Sequence, residues 1–360
     1  MGELVNEQYK DLIVYVPGKP VSETERELGI SGCIKLASNE NPLGPSPKAL
    51  AAVADYMRQG HEYPDGGAFY LKQKIAAFHD ISPENLITTN GTNELIEMLI
   101  RTTMLADENM IYGGYSFIIY KLCAMAANRQ VRTVPFKDMR IDLEAMAAAV
   151  DEKTKLIFLD NPNNPCGTYF TKDEFDRFLA AIPDDVVVVY DEAYCHYADA
   201  EDYPQGFDYL NKRERFIVMR TFSKAYGLAG FRIGYGVGNK ELIGYVNKGR
   251  QPFNCNSMGQ VAALAALDDQ EHVDNSVRMN KSEMLRLMSA YDSLGLGYQP
   301  SQTNFLLVDF KKDIMEVYDK LLRQGVIVRP MAGYGLKTSA RVSIGTPEEN
   351  DKLLKAIPNI

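Results

Sequence analysis

Residues 185–194 spell "DVVVVYDEAY", a run of valines that passes directly into acidic and aromatic residues. Two comparable stretches flank it along the chain, "KLIFLDNP" at 155–162 and "RFIVMRTFSK" at 215–224. Continuous apolar runs are typical of strands that are buried on both faces, as in parallel sheets covered by crossover helices. Helix-like or irregular segments separate the three runs, which is the spacing that such crossovers need. The three stretches therefore predict an α/β fold built on a mostly parallel sheet with helices on both faces.

The chain on either side of this core predicts two further parts of the molecule. The first 45 residues carry the Pro- and Gly-bearing stretches "VPGKP" (16–20) and "SNENPLGPSP" (38–47), which suggest an arm laid over a surface. Near the end, "TNFLLVDF", "VIVRP" and "ARVSIGT" alternate with helical patterns and predict a smaller α+β unit. We therefore predict an N-terminal arm over 1–45 that packs with the small domain or a partner subunit, a large domain over 46–280, and a small C-terminal domain over 281–360.

Composition narrows the class of protein. A net charge of −9 argues against a general nucleic-acid binder and against attraction to anionic membranes. The five cysteines are odd in number and form no CxxC pair, so reduced thiols are expected rather than a disulfide framework or a metal site. The sequence has no signal-peptide pattern at its start and no apolar run of roughly 18 residues. These features predict a cytoplasmic protein that binds small molecules.

Polar residues follow each of the three predicted strands. The first runs into "NPNNP" (161–165), the second into "DEAY" (191–194), and the third into Ser223 and Lys224. Upstream, "GTNE" (91–94) lies between a predicted strand and a helix, where free backbone N–H groups and the helix dipole can hold a phosphate. Ligands of open parallel sheets bind beyond the carboxyl ends of the strands. The pattern thus predicts one site that contains an amine, a carboxylate, a phenol, a carboxamide and an anion cradle.

Pyridoxal phosphate is a cofactor that uses all five groups. Its aldehyde requires a lysine, and its ring nitrogen stays protonated only beside a carboxylate. Lys224 lies in an otherwise apolar segment, where desolvation would lower its pKa and favour the nucleophilic amine. The phenolate oxygen of the cofactor suits Tyr and Asn donors, and its phosphate suits a helix N-terminus, a serine and an arginine. The sequence therefore predicts a pyridoxal phosphate site.

The ordered motifs resemble the histidinol-phosphate aminotransferase family, within the fold-type I, class I and II pyridoxal-phosphate-dependent aminotransferases. The resemblance covers nearly the whole chain and comprises "KLASNENPLGPSP" (35–47), "YPDG" (63–66), "GTNE", "NPNNPCG" (161–167), "DEAY", "RTFSKAYGLAGFRIGY" (220–235), "PFNCN" (252–256), "NFLLV" (304–308), "GVIVRP" (325–330) and "RVSIGT" (341–346). Three positions depart from the family pattern: Tyr115 replaces a proline, Cys166 a frequent threonine, and Asn93 a common aspartate. None of these departures removes a catalytic group.

The resemblance implies a role for each matching residue. Lys224 would be the Schiff-base lysine and proton shuttle, Asp191 would pair with the pyridinium nitrogen, and Tyr194 would assist at the phenolate oxygen. The other cofactor contacts would come from Asn164 at that oxygen, Phe117 stacked on the ring, Thr92, Asn93, Ser223 and Arg232 at the phosphate, and Tyr63 from the neighbouring subunit. The substrate-binding residues would be Arg341, Arg329, Tyr15 and Asn39.

The function implied by the resemblance is a ping-pong transamination between histidinol phosphate or imidazole acetol phosphate and glutamate or 2-oxoglutarate, in histidine biosynthesis. The arm and Tyr63 imply a homodimer with shared active sites. An aromatic-amino-acid aminotransferase or a phosphothreonine-type decarboxylase would keep every cofactor residue and stays an alternative. A nucleotide-binding or regulatory module is a more distant alternative, because the nearest glycine motif, "GYGVG" (234–238), has the wrong spacing.

Overall fold

The structure is a computed structural model that describes residues 4–10, 12–15 and 17–360. Residues 1–3, 11 and 16 of the predicted arm lie outside the described residues. The strands are β1 (Ile34–Lys35), β2 (Leu86–Thr89), β3 (Asn109–Gly113), β4 (Gln130–Val134), β5 (Thr154–Asp160), β6 (Val187–Asp191), β7 (Phe216–Thr221), β8 (Gly234–Gly238), β9 (Gly297–Tyr298), β10 (Phe305–Asp309), β11 (Val326–Ile327), β12 (Arg329–Pro330) and β13 (Ser339–Ser343).

The helices surround these strands. They are α1 (Val21–Leu28), α2 (Pro47–Tyr56), α3 (Phe69–His79), α4 (Thr92–Thr103), α5 (Ile119–Ala126), α6 (Leu143–Ala148), α7 (Lys172–Ala181), α8 (Lys240–Lys248), α9 (Ser257–Ala266), α10 (Gln270–Ser293), α11 (Ile314–Arg323) and α12 (Pro347–Ala356). Within the ranges described above, no helix is both long enough and apolar enough to cross a membrane.

The main sheet has seven strands in the order β2-β8-β7-β6-β5-β3-β4. The five adjacent strands β4, β3, β5, β6 and β7 run parallel to one another, and β8 runs antiparallel to both β7 and β2. The predicted α/β fold with a mostly parallel sheet is confirmed. The three apolar runs of the sequence are its adjacent strands β5, β6 and β7, whose carboxyl ends lie at one edge.

The central strands are apolar along their whole length because both of their faces are buried. Leu156 and Phe158 of β5 pack in a cluster with residues of α4 and α5, whereas Ile157 and Leu159 pack on the opposite face with residues of α7. Side chains alternate between the faces of a strand. By this alternation Asp160, the last residue of β5, lies on the face that α4 and α5 cover.

A second, smaller sheet lies in the C-terminal part of the chain. Its order is β12-β13-β10-β9, with antiparallel pairing throughout, which confirms the predicted smaller α+β unit. The N-terminal stretch predicted to be loop-rich contains helix α1, and its strand β1 pairs in parallel with β11. The predicted boundary at 280/281 falls inside the 24-residue helix α10, and the division into an arm and two domains stays a prediction.

Candidate active site

A cavity of about 380 Å³ lies at the carboxyl ends of β5, β6 and β7. The residues predicted from the sequence that line it are Tyr15, Asn39, Thr92, Asn93, Phe117, Asn164, Asp191, Tyr194, Ser223, Lys224, Arg232, Arg329 and Arg341. Side chains from the start, the middle and the end of the chain therefore meet in one place. Parallel strands place their carboxyl ends together, which is why the polar residues that follow these strands converge.

One end of the cavity is built to bind an anion. The N-cap of α4 is Gly91, with φ 74° and no side-chain capping bond. Thr92 and Asn93 lie in the first turn of the helix, where N–H groups have no intrahelical acceptor and the helix dipole is positive. A Cβ atom at position 91 would lie 2.5 Å from Nη2 of Arg232, so only glycine lets the guanidinium approach this closely. Ser223 lines the same cavity.

The carboxyl group of Asp191 lies at the end of β6 and is 5% exposed. Its Oδ2 accepts a hydrogen bond from the Tyr120 hydroxyl at 2.7 Å, and its Oδ1 accepts one from the Ala193 N–H at 3.0 Å. Burial raises the pKa of Asp191 to about 6. A carboxylate held out of water in this way is stabilised by a cationic partner, which a protonated ring nitrogen would supply. Sequence analysis missed Tyr120, although it follows Phe117 by only three residues.

The amine of Lys224 faces the same cavity from the segment after β7. Its Nζ donates to the Ser38 carbonyl at 3.3 Å and lies 5.6 Å from the centre of the Tyr194 ring. Burial lowers the pKa of Lys224 to about 8, and the cationic side chains of Arg341 and Arg232 act in the same direction. An amine with this pKa is partly neutral near physiological pH and can act as a nucleophile or a base.

Two arginines lie at the side of the cavity formed by the small sheet. Arg329 of β12 and Arg341 of β13 are direct partners in the strand pairing. Arg341 donates from Nη1 to Oδ1 of Asn164 at 2.6 Å and from Nη2 to the Ala37 carbonyl at 2.8 Å. Its Nε is buried and has no hydrogen-bond partner among the residues that the structure describes. The geometry leaves Arg341 a free donor, as expected of a group that binds an anionic ligand.

Two other predicted residues differ in their placement. Asn39 lines the cavity, and its Nδ2 donates to the Tyr194 hydroxyl at 2.9 Å. Tyr63 is 82% exposed and stacks on Phe253 with ring centres 4.8 Å apart, outside the cavity lining within the described part of this chain. The role predicted for Tyr63 requires a second subunit and stays a prediction.

A buried ion pair stabilises the carboxyl ends of β6 and β7. Oε2 of Glu192, which follows Asp191 directly, accepts hydrogen bonds from the Arg220 guanidinium at 2.8 Å. The other oxygen, Oε1, accepts the Gly206 N–H at 2.7 Å. The Glu192 side chain is 0% exposed, so the pair is stabilised by good geometry in a dry environment. It connects the end of β6 to β7, the strands that lead to Asp191 and Lys224.

The donor set fits the cofactor predicted from the sequence. Within one cavity it offers a desolvated amine, a buried carboxylate, a phenol, a carboxamide, and a helix N-terminus beside an arginine. In pyridoxal phosphate the amine matches the aldehyde and the carboxylate matches the ring nitrogen. The phenol and the carboxamide match the phenolate oxygen, and the helix N-terminus with the arginine matches the phosphate. The match rests on donor chemistry that the chain itself presents.

Comparisons with known proteins agree with this site. Residues 31–357 match the family model for aminotransferase class I and II. The chain is 46% identical over 348 residues to histidinol-phosphate aminotransferase 2 of Pseudomonas aeruginosa, covering 96% of this chain and 94% of that protein. It is 43% identical to histidinol-phosphate aminotransferase 2 of Haemophilus influenzae, covering 99% and 98%.

A solved structure shows the same architecture. The crystal structure of histidinol-phosphate aminotransferase from Sinorhizobium meliloti in complex with pyridoxal-5'-phosphate superposes with a TM-score of 0.90 at 29% sequence identity. The match covers 100% of this chain and 98% of that one. The similarity therefore extends over both sheets and the N-terminal part of the chain.

Proposed function

The chain belongs to the class I and II aminotransferases, and we propose that it is a pyridoxal-phosphate-dependent transaminase that exchanges an amino group between histidinol phosphate and 2-oxoglutarate in histidine biosynthesis. The observation that carries the proposal is the meeting of Lys224, Asp191 and Arg341 in one cavity, and it is supported by the similarity to histidinol-phosphate aminotransferases over nearly the full length. The proposal includes the cytoplasmic location expected from composition, and the five cysteines are free thiols, which suits a reducing compartment.

The residues of the chain divide the chemistry among them. Pyridoxal phosphate, when bound, supplies an electron sink for the negative charge that develops on the substrate carbon bearing the amino group. In the proposal Nζ of Lys224 would take the proton from that carbon and return it on the other side of the amino nitrogen, because its lowered pKa lets it do both. Asp191 keeps the ring nitrogen protonated, and Tyr194 and Asn164 orient the phenolate oxygen.

Arg329 and Arg341 are proposed to bind both substrates in turn. Histidinol phosphate carries a phosphate and no carboxylate, whereas glutamate carries two carboxylates. A guanidinium keeps its charge at any physiological pH, and its fork of N–H donors matches the oxygens of either group. The adjacent placement of the two residues on β12 and β13 supports this proposal.

A substrate panel tests the proposal. With 2-oxoglutarate as acceptor, we expect kcat/KM to be highest for histidinol phosphate, lower for phenylalanine, and we expect no carbon dioxide release from phosphothreonine. Arg341→Ala is expected to lower kcat/KM for histidinol phosphate about 10²-fold, since hydrogen bonds to charged groups contribute about 1.5–3 kcal/mol. Arg323→Ala, on the exposed face of α11, is the matched control. Rapid turnover of phenylalanine with none of histidinol phosphate would favour the aromatic aminotransferase instead.

We also propose that the enzyme is a homodimer whose active sites are shared. Support comes from large apolar side chains that are exposed in the single chain around α2 and α3, namely Met57 (64%), Phe69 (58%) and Tyr70 (74%), beside the exposed Tyr63. Exposed apolar groups of this size on one region are typical of an interface between subunits.

The shared site is tested through Tyr63. Tyr63→Phe removes only the hydroxyl, and we expect it to weaken cofactor binding about 10-fold if that hydroxyl reaches the phosphate in the partner's site. The measurement is the dissociation constant of the cofactor, with Tyr245→Phe as the control because Tyr245 is an exposed tyrosine on α8, outside the region proposed as the interface. Unchanged cofactor affinity in Tyr63→Phe, or a monomer by sedimentation at assay concentrations, would contradict the proposal.

A further inference from the structure

A second buried carboxyl group lines the cavity beside Asp191. Asp160 is the last residue of β5, is 3% exposed, and is the direct partner of Asp191 in the pairing of β5 with β6. Neighbouring strands lie about 4.8 Å apart, and paired residues project from the same face of the sheet. Two ionised carboxylates on paired positions, out of water, are disfavoured by burial and by their mutual repulsion, so the pair retains a proton to higher pH than an isolated aspartate.

The hydrogen bonds of the two residues differ. Both oxygens of Asp191 accept a hydrogen bond, as described above. In Asp160, by contrast, the side-chain amide of Asn163 at 2.9 Å and the backbone N–H of Asn164 at 3.0 Å both donate to Oδ2. Oδ1 of Asp160 is buried and has no hydrogen-bond partner among the described residues. A neutral carboxylic acid has this asymmetry: its carbonyl oxygen, here Oδ2, accepts hydrogen bonds, whereas its hydroxyl oxygen, here Oδ1, acts as a donor and does not need to accept one.

A partner for a proton on Oδ1 lies nearby. The buried hydroxyl of Ser116 lies close to Asp160, and donation from it would lower the pKa of Asp160, but its Oγ has no hydrogen-bond partner of good geometry within the described part of the chain. A hydroxyl on Oδ1 could donate to this oxygen after a small rotation, and both unpartnered atoms would then be satisfied. An ionised Oδ1 would instead place a buried charge on an oxygen that at most the Ser116 hydroxyl could support, which is costly.

Lys224 and Arg341 line the same cavity, but neither forms an ion pair with Asp160 within the described part of the chain, and the other titratable groups near Asp160 are neutral or acidic. They are Asp191 at the end of β6, Tyr120 on α5, Tyr194 after β6, Cys166 in the loop after β5, and Tyr334 beyond β12. Burial raises the pKa of Asp160 to about 7, and the negative charge of Asp191 acts in the same direction.

We propose that Asp160 holds the proton of this carboxyl pair, which leaves Asp191 ionised, and that the neutral acid positions the segment of Asn163 and Asn164 by accepting their N–H groups. Asn164 in turn accepts the hydrogen bond from Arg341, so Asp160 acts on the site through the loop. The acid is a positioning residue and a proton store, and only its effect on catalysis rests on the proposed transamination.

The protonation state is measured first, on the protein without cofactor or substrate. Infrared difference spectra between pH 5 and pH 9 should show a protonated carboxyl band in the wild type that is lost as the pH rises through about 7. Asp160→Asn should lack the component of the band that is lost near pH 7, while a component lost near pH 6 would belong to Asp191, and Asp107→Asn, at an exposed position, should keep both components. A band that persists unchanged in Asp160→Asn would overturn the proposal, and so would its absence from the wild type at pH 6.

The positioning role is measured on the cofactor-loaded enzyme. Asparagine retains the accepting oxygen of the neutral acid and alanine does not, so Asp160→Ala should have about 10-fold lower kcat/KM and weaker cofactor binding than Asp160→Asn. Equal damage in both variants, with folding confirmed by circular dichroism, would mean that the ionised form is required and would overturn the proposal. Failure of the transaminase assay in the wild type would instead count against the proposed function, since the infrared result does not depend on it.

Discussion

Replacing Lys224 with alanine is expected to lower kcat for transamination by roughly 10⁴-fold, the upper end of what a positioned acid–base group contributes. The amine of Lys224 lines the cavity and can both bond to an aldehyde carbon and carry a proton between the two carbons that flank the amino nitrogen. The variant should also lose the yellow absorbance of the loaded protein, and borohydride should no longer attach the cofactor permanently to the chain.

A second substitution tests whether the reaction needs the amine of Lys224 or only its positive charge. Lys224→Arg keeps a positive charge in the cavity, but a guanidinium does not give up its proton, so this variant should be as inactive as the alanine variant. Lys240→Ala, whose side chain is 72% exposed, is the control. If Lys224→Arg kept a tenth of the activity or more, the role of Lys224 would be electrostatic and the proposed chemistry would be wrong.

The wild-type enzyme should show the pKa of this amine in its uptake of cofactor. Since burial lowers the pKa of Lys224 to about 8, the neutral fraction rises steeply between about pH 7 and pH 9 and levels off above. The rate constant for cofactor uptake by the cofactor-free protein should follow the same curve. A rate that kept rising to pH 10 would indicate an amine with an ordinary lysine pKa.

The central strands and most of the site could be predicted from the sequence because their signals are local. A strand buried on both faces must be apolar at every position, and "VVVVYD" satisfies this requirement visibly. The polar residues that follow such strands are then placed by the topology of a parallel sheet alone. This is why Asp191 and Lys224, which are 33 residues apart, could be assigned to one cavity from the sequence alone.

The features that sequence analysis missed depend on contacts between distant segments. Gly91 is the N-cap of α4, and the Arg232 guanidinium occupies the space of a Cβ atom at this position. That contact joins segments far apart in the sequence, so no local capping signal indicates it. Tyr120 lies on an apolar helix and is indistinguishable from a core residue until α5 is packed over β6. Asp160 precedes a turn-forming stretch, so its carboxylate resembles ordinary loop charge until the register with Asp191 is known.

Replacing Asp191 with asparagine is expected to lower kcat about 10²–10³-fold, the usual effect of removing one electrostatic group aimed at developing charge. Asparagine has nearly the same shape and can still accept the Tyr120 hydroxyl, so folding should be retained. What is lost is the negative charge that keeps a ring nitrogen protonated in a desolvated site. Asp274→Asn, on an exposed position of α10, is the control, and an Asp191→Asn enzyme with a tenth of wild-type kcat would contradict this role.

The same substitution has a consequence for the neighbouring acid. The negative charge of Asp191 raises the pKa of Asp160, so its removal in Asp191→Asn should lower the pH at which Asp160 loses its proton. The protonated carboxyl band of the cofactor-free protein should therefore disappear at lower pH in Asp191→Asn than in the wild type. Because the two side chains are paired across β5 and β6, a band that titrated at the wild-type pH would show that the carboxyls do not interact. Coupled titration would instead mean that the charge on Asp191 and the proton on Asp160 belong to one electrostatic unit of the site.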